Sequence, residues 1–211
     1  MKKAVQFLLG LVIIGLIYVV ATLIHTPLSF EKQLETRNAD VIVKLKDIRA
    51  AERAFKSKYQ QFTGDFDSLI YFILNDSLEM ERKLVDEDDS VAMAQLKKAG
   101  KKNVEKYNIA VIDTIFNPRK LTKEDIQNLR YIPHTDNKVE FILEAAKVMT
   151  GANVVVPVVE CRAPYKLYLD TVAYRQNVIN LIDDRVNNFN AYAGLKFGSM
   201  EGSNNEAGNW E

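Results

Sequence analysis

The chain has 211 residues, with Lys+Arg and Asp+Glu balanced at 28 each and a single cysteine, Cys161. That balance supplies no basic footprint for nucleic acid or another polyanion, and one cysteine excludes an intramolecular disulfide framework. A length of this order fits one modest domain plus an appendage.

The appendage comes first. Ala4–Ile24, AVQFLLGLVIIGLIYVVATLI, is apolar apart from Gln6 and carries no charge. At about 1.5 Å of rise per residue, a helix of this length crosses roughly 30 Å of hydrocarbon with all its backbone groups paired internally. A buried core helix would keep a polar stripe, and this run has none. A cleaved signal peptide is the remaining alternative, but its best cleavage site, Val19-Val20-Ala21, lies inside the apolar run. Residues 4–24 therefore read as a transmembrane anchor in contact with the lipid bilayer. Lys2 and Lys3 precede the run, and no Lys or Arg occurs in His25–Phe30. The positive-inside rule then places tip 1–3 in the cytoplasm and everything beyond the anchor on the far side of the membrane.

Pro27 is expected to break or kink the helix as it leaves the bilayer. A second, amphipathic stalk helix is predicted over 29–61, because no Gly or Pro occurs between Leu28 and Gly64 and Leu34, Val41, Ile48 and Phe55 recur every seven residues. Its other side, Lys44, Lys46, Asp47, Arg49, Glu52, Arg53, Lys56 and Lys58, reads as a solvated face. Gly64 marks a reversal. After it, Asp67–Leu74 reads as a short apolar helix capped by Asp67.

The layout of a membrane helix, a continuing amphipathic helix with Ile48-Arg49-Ala50-Ala51-Glu52-Arg53-Ala54-Phe55, then Tyr59–Leu69, resembles type IV pilins and type II secretion pseudopilins over about residues 4–74. The resemblance implies a single-pass protein of a bacterial cell inner membrane with a pilin-like domain in the periplasm and a structural or assembly role. The family's leader pattern is missing, since Gly10 precedes Leu11, Gly15 precedes Leu16, and no acid lies between Lys3 and Glu31.

The head is expected over 62–193. Its charged insertion, 75–106, reads as two helices, 77–85 and 90–99, ending at Gly100. The acidic run Asp86–Asp89 lacks the alternating ligands, Gly turn and closing Glu of a calcium loop. Tyr107–Phe116 reads as a strand stopped by Asn117-Pro118, and Thr122–Asp125 as a capping box opening a short helix. Val139–Met149 and Val154–Cys161 read as a hairpin turning at Thr150–Asn153, with Pro157 on an edge or at a bulge. Cys161 reads as a buried strand thiol. Residues 163–170 continue extended, and Asp170 caps a last helix over 171–189. The tail, 194–211, is rich in Gly and Asn and reads as unable to order itself alone, with Trp210 either tucked onto the domain or left for a partner. The fold class is α+β, a transmembrane helix continuing into a long amphipathic one, then a small antiparallel-sheet head with peripheral helices.

Neither His25 nor His134 has a second ligand at metal spacing, and no catalytic motif or phosphate-cradling loop occurs. No enzyme, cofactor or metal is therefore expected. Leu34, Val41 and Ile48 are the expected lateral contact face for a homo-oligomer or a membrane-protein partner. Asp followed by Ser/Thr and an aliphatic residue recurs at Ser68, Ser77, Ser90, Thr114 and Thr171, similar to a bacterial O-glycosylation sequon and equally suited to helix caps. The alternative function is a membrane-anchored binding or sensory module with its ligand between the hairpin and Tyr165–Tyr168.

Overall fold

A computed structural model describes residues 2–211 apart from Glu87, Lys101, Pro118 and Ala152. One helix, α1, runs unbroken from Lys2 to Tyr59 with Pro27 inside it. The break that Pro27 could have made does not occur, and anchor and stalk are one continuous helix. Proline removes one backbone donor and costs about 3 kcal/mol in a helix interior. Downstream residues from Phe30 onward are held by tertiary packing, which keeps the helix going. It ends where Gln60 turns left-handed (φ 57°) and its N–H bonds back to Lys56.

The structure is α+β. The outer half of α1 is wrapped by its own head: Val41, Leu45, Ile48 and Ala51 have no exposure. On one side lies α2 (Phe66–Asn75), with Leu69, Phe72 and Ile73 inward. Its N-cap is Asp65, which accepts from Ser68 N at 2.8 Å; the expected cap, Asp67, sits in the first turn. Two short helices complete this side, α4 (Val111–Phe116) and α5 (Lys123–Gln127), the latter continued by a 3₁₀ turn, Asn128–Arg130. The capping box of α5 forms as its sequence implies, Thr122 bonding Asp125 N while Asp125 returns to the Thr122 backbone.

The other side is a three-stranded antiparallel sheet, β3 (Ile142–Met149), β4 (Val155–Pro164) and β5 (Gly194–Gly198), with β4 central. Leu143, Val159, Cys161, Ala163, Leu195 and Phe197 are buried, and alternate positions pair charge across strands, Glu144 with Arg162 and Glu160 with Lys196 at 3.0 Å. The hairpin turn closes through Thr150, whose N–H bonds Val154 O; Ala152 within it lies outside the described residues. Pro157 opposes Lys147 beyond the reach of β5, which pairs only from Glu160 onward. Its missing donor therefore faces an open edge.

Four segments differ from expectation. The first half of the insertion is a strand, β1 (Ser77–Arg82), paired antiparallel with β2 (Glu105–Ala110); only the second, α3 (Ser90–Lys98), is helical. The alternating Leu78, Met80 set across Ile109, Tyr107 had the strand period, which its charges obscured. The expected strand over 107–116 splits at Ala110 into β2 and α4, and Pro118 lies outside the described residues. Extended chain stops at Pro164: Tyr165–Tyr168 is a helical turn, α6, and α7 spans Arg175–Asp183 with a π turn over Asp184–Asn188. Asp170 caps the turn before α7, accepting from Val172 and Ala173 N–H.

The tail is the fourth correction. Its first residues form β5, and the rest folds back, with Gly198 N bonding Ala207 O and Gly208 bridging Phe197. Gly198 requires glycine twice over: its φ is +77°, and an added Cβ would lie 1.9 Å from Val159 O.

Candidate functional site

α1 is two surfaces on one rod. From Phe7 to Ile24 every large apolar side chain is bare: Phe7 is 72% exposed, Tyr18 71% and Leu23 68%. Fourteen such side chains occur there. At about 1.5–3 kcal/mol for each full burial, discounted for the part the helix already covers, removing them from water is worth roughly 15–25 kcal/mol. Among the described residues, none from the head covers this stretch. The helix is long and apolar enough to cross a membrane and is compatible with a single-pass anchor.

The expected lateral face fares differently. Val41 and Ile48 are fully buried in the chain's own core, and Leu34 is half-buried against it. The seven-residue stripe is taken up by the chain's own head, so these positions are not a free contact face. A repeat of apolar residues states that a face is covered; it does not say by what.

The face read as solvated is mostly engaged as well. Lys44 donates to Asn128 O and Tyr131 O, both at 2.8 Å, closing the end of the 3₁₀ turn, and burial pulls its pKa down against Asp125 and Asp47. Asp47 is buried beneath the Arg119 guanidinium, which grips it through two N–H groups. Arg49 stacks on Trp210 and bonds Glu211 at 2.6 Å, while Arg53 bonds Glu206 at 3.0 Å and Asn205 O at 2.9 Å. These contacts clamp the tail onto the stalk, with Trp210 tucked against the core.

Glu52 is the residue that sequence reading misplaced most. It has no exposure; one carboxyl oxygen accepts from Thr63 N at 3.0 Å and the other has no partner. Burial raises its pKa from 4.5 to about 8, only partly opposed by the Thr63 bond, so at neutral pH it is chiefly the neutral acid. The buried Cys161 thiol is pushed up by desolvation and then by Glu52. The signal was available: 41, 45, 48, 52 and 55 follow the i, i+4, i+7 spacing of one helix face. Glu52 fills the fourth of those positions.

Set against family models, curated proteins and solved structures, the chain matches none. Function has to be read from surfaces. Among the described residues no group of three or more His, Cys, Asp or Glu side chains is placed to hold a metal ion. His134 meets Asp40 at 2.8 Å, an exposed pair tying a turn to the stalk. Beside the hairpin, Tyr165 and Tyr168 are buried, with Tyr168 Oη bonding Asn38 at 2.7 Å. An open groove of 450 Å³ lies between α1 and α2, lined by Phe55, Tyr59, Tyr71 and Phe72. Its two carboxylates are already engaged, Asp67 by Arg130 at 2.7 Å and Asp76 by Lys58 at 2.8 Å.

The five Asp-Ser/Thr sites are not equivalent. Ser68 and Thr114 sit inside helices with their hydroxyls bonded to Asp65 and Ala110 O, and Ser77 is half-buried at the start of β1. Ser90 and Thr171 are exposed, and among the described residues their hydroxyls bond nothing. Ser90 opens α3 behind its N-cap Asp89, and Thr171 lies in the turn before α7. Glu87, in the acidic run, and Lys101 lie outside the described residues.

Proposed function

We propose that this is a non-enzymatic, single-pass protein of a bacterial inner membrane, with its N-terminus cytoplasmic and a pilin-like head in the periplasm, serving as a structural or assembly subunit of an envelope complex. The observation that carries the reading is the continuity of α1: the bare apolar half and the half that forms the head's core belong to one helix, Lys2–Tyr59. A head built around the stalk cannot swivel independently of it, so force or position at one end is transmitted to the other. That is the property a spacer or assembly subunit needs and a small-molecule receptor does not. A helix half inside the head and half bare, with an antiparallel sheet laid against it, also supports the pilin-like resemblance.

With Val41 and Ile48 engaged internally, homo-oligomer or partner contacts belong to the anchor's own surface, where lipid and a neighbouring helix compete for the same side chains. The test is extraction followed by topology. The chain should resist alkaline carbonate, dissolve in detergent, and have its head digested by protease only from the periplasmic side. Release by salt washing of molecules beginning near Thr22 would overturn the reading. Cysteines placed at successive positions over 11–20 should crosslink in vivo with helical periodicity; a monomer at every position would remove the assembly role.

A further inference from the structure

The head touches α1 first at Phe30, which is 8% exposed although Leu28, two residues before it, stands free. What covers it is Tyr174, its ring centroid 5.6 Å away. The chain reaches that point by descending the stalk: Tyr168 lies beside Arg37 and Asn38, its backbone oxygen held by Arg37, and six residues later Tyr174 lies beside Phe30. It then turns back into α7, where Val178 is buried again. Among the described residues, the turn over 170–174 thus meets α1 closer to its apolar half than the Tyr168 contacts with Arg37 and Asn38 do. Asp170 fixes its shape by accepting from Val172 and Ala173 N–H at 2.9 and 2.8 Å. That arrangement aims Val172 outward, 91% exposed, more than any other large apolar side chain among the described residues.

The level of this turn follows from the helix. Phe30 is six residues beyond Ile24, about 9 Å along the axis, and the bilayer's polar layer extends roughly 5–8 Å past the hydrocarbon on each side. Leu28, 60% exposed, narrows the gap further. An aromatic pair with a bare apolar side chain two residues away in the same turn, at that height, is the composition of a membrane–water interface. Building on the membrane-anchored reading above, we propose that the 170–174 turn is a second membrane contact, in which Val172 enters the interface and Tyr174 with Phe30 lies at headgroup level. The surface it meets is continuous with the one the anchor already occupies. Lys32 and Arg175 share this level with Glu31 and Glu35, all four exposed. The local charge is thus close to balanced, and the contact should form on uncharged phosphatidylcholine and persist in high salt.

The full chain carrying a bimane label at Val172→Cys, reconstituted in phosphatidylcholine vesicles with spin-labelled lipids, tests this. Val172 is exposed, so its replacement leaves the head folded, and the buried native Cys161 does not label. Two controls are read alongside: Leu16→Cys in the anchor, and Val154→Cys at the hairpin tip, about 30 Å farther along the sheet. The expected result is loss of most of the Val172→Cys signal to headgroup-level quenchers, loss at Leu16→Cys to deep quenchers, and an unchanged signal at Val154→Cys. If Leu16→Cys is quenched while Val172→Cys stays as bright as Val154→Cys, the head stands clear of the bilayer and the inference falls while the anchor survives. If Leu16→Cys is unquenched, the anchor fails and the membrane contact with it.

Discussion

Glu52→Gln should change the pH dependence of stability in a way only a buried neutral acid explains. In the unfolded chain Glu52 titrates near 4.5; in the folded chain it does so at about 8, because burial opposes the charge. Below pH 4.5 both states hold the proton and the residue contributes no slope. Between 4.5 and 8 the unfolded state gives up a proton that the folded state keeps, so stability falls as pH rises, by about 1.4 kcal/mol per unit. The loss reaches roughly 3 kcal/mol at pH 7 and about 5 above pH 8, where the slope vanishes. Glutamine preserves the acceptor for Thr63 N but buries an unpartnered amide, a cost of about 1 kcal/mol at pH 5. The variant should therefore be slightly less stable than the parent at pH 5, cross it near pH 6, and exceed it by several kcal/mol at pH 8.5. Urea unfolding of the detergent-solubilised full chain, followed by near-ultraviolet circular dichroism from pH 5 to 9, reads this directly. Other titrating groups are common to both proteins and cancel in the difference. A difference that stays flat across that range, or a Glu52 carboxyl resonance titrating near 4.5, would refute the argument.

Ile48→Ala, which empties a fully buried site, should destabilise the head by about 3 kcal/mol, whereas Leu34→Ala, half-buried, should lose less than half of that in the same urea titration; equal losses would mean the stripe is not packed as described. Gly198→Ala combines a left-handed φ with a Cβ 1.9 Å from Val159 O, so it should cost about 3 kcal/mol or more and raise amide exchange across β5 first. If the chain is O-glycosylated, Ser90 should carry the sugar and Ser90→Ala should remove it from the intact mass, because Ser90 is exposed and unbonded at the start of α3, whereas the other such hydroxyl, Thr171, lies in the 170–174 turn proposed to meet the bilayer; modification at Ser68 instead would show that the α2 N-terminus unravels.

The primary structure alone determined the long apolar N-terminal helix, the α+β class, the capping box at Thr122 and the strand hairpin around Thr150–Asn153. Each of these rests on a local rule: a continuous apolar run, a residue spacing, or a side chain that reaches its own backbone. It also contained the seven-residue repeat in α1. What it left open was which surface covers that repeat. Only the tertiary structure decided that Val41 and Ile48 are buried in the chain's own core, because such a cover comes from residues tens to more than a hundred positions away. The same reason explains the tail. Gly194–Gly198 has too little apolar surface to order itself, yet becomes a strand once β4 offers its open edge and Arg49, Arg53 and Trp210 close over the return. Pro27 ends a helix by its own propensity, and α1 continues through it because packing from Phe30 onward outweighs the lost hydrogen bond.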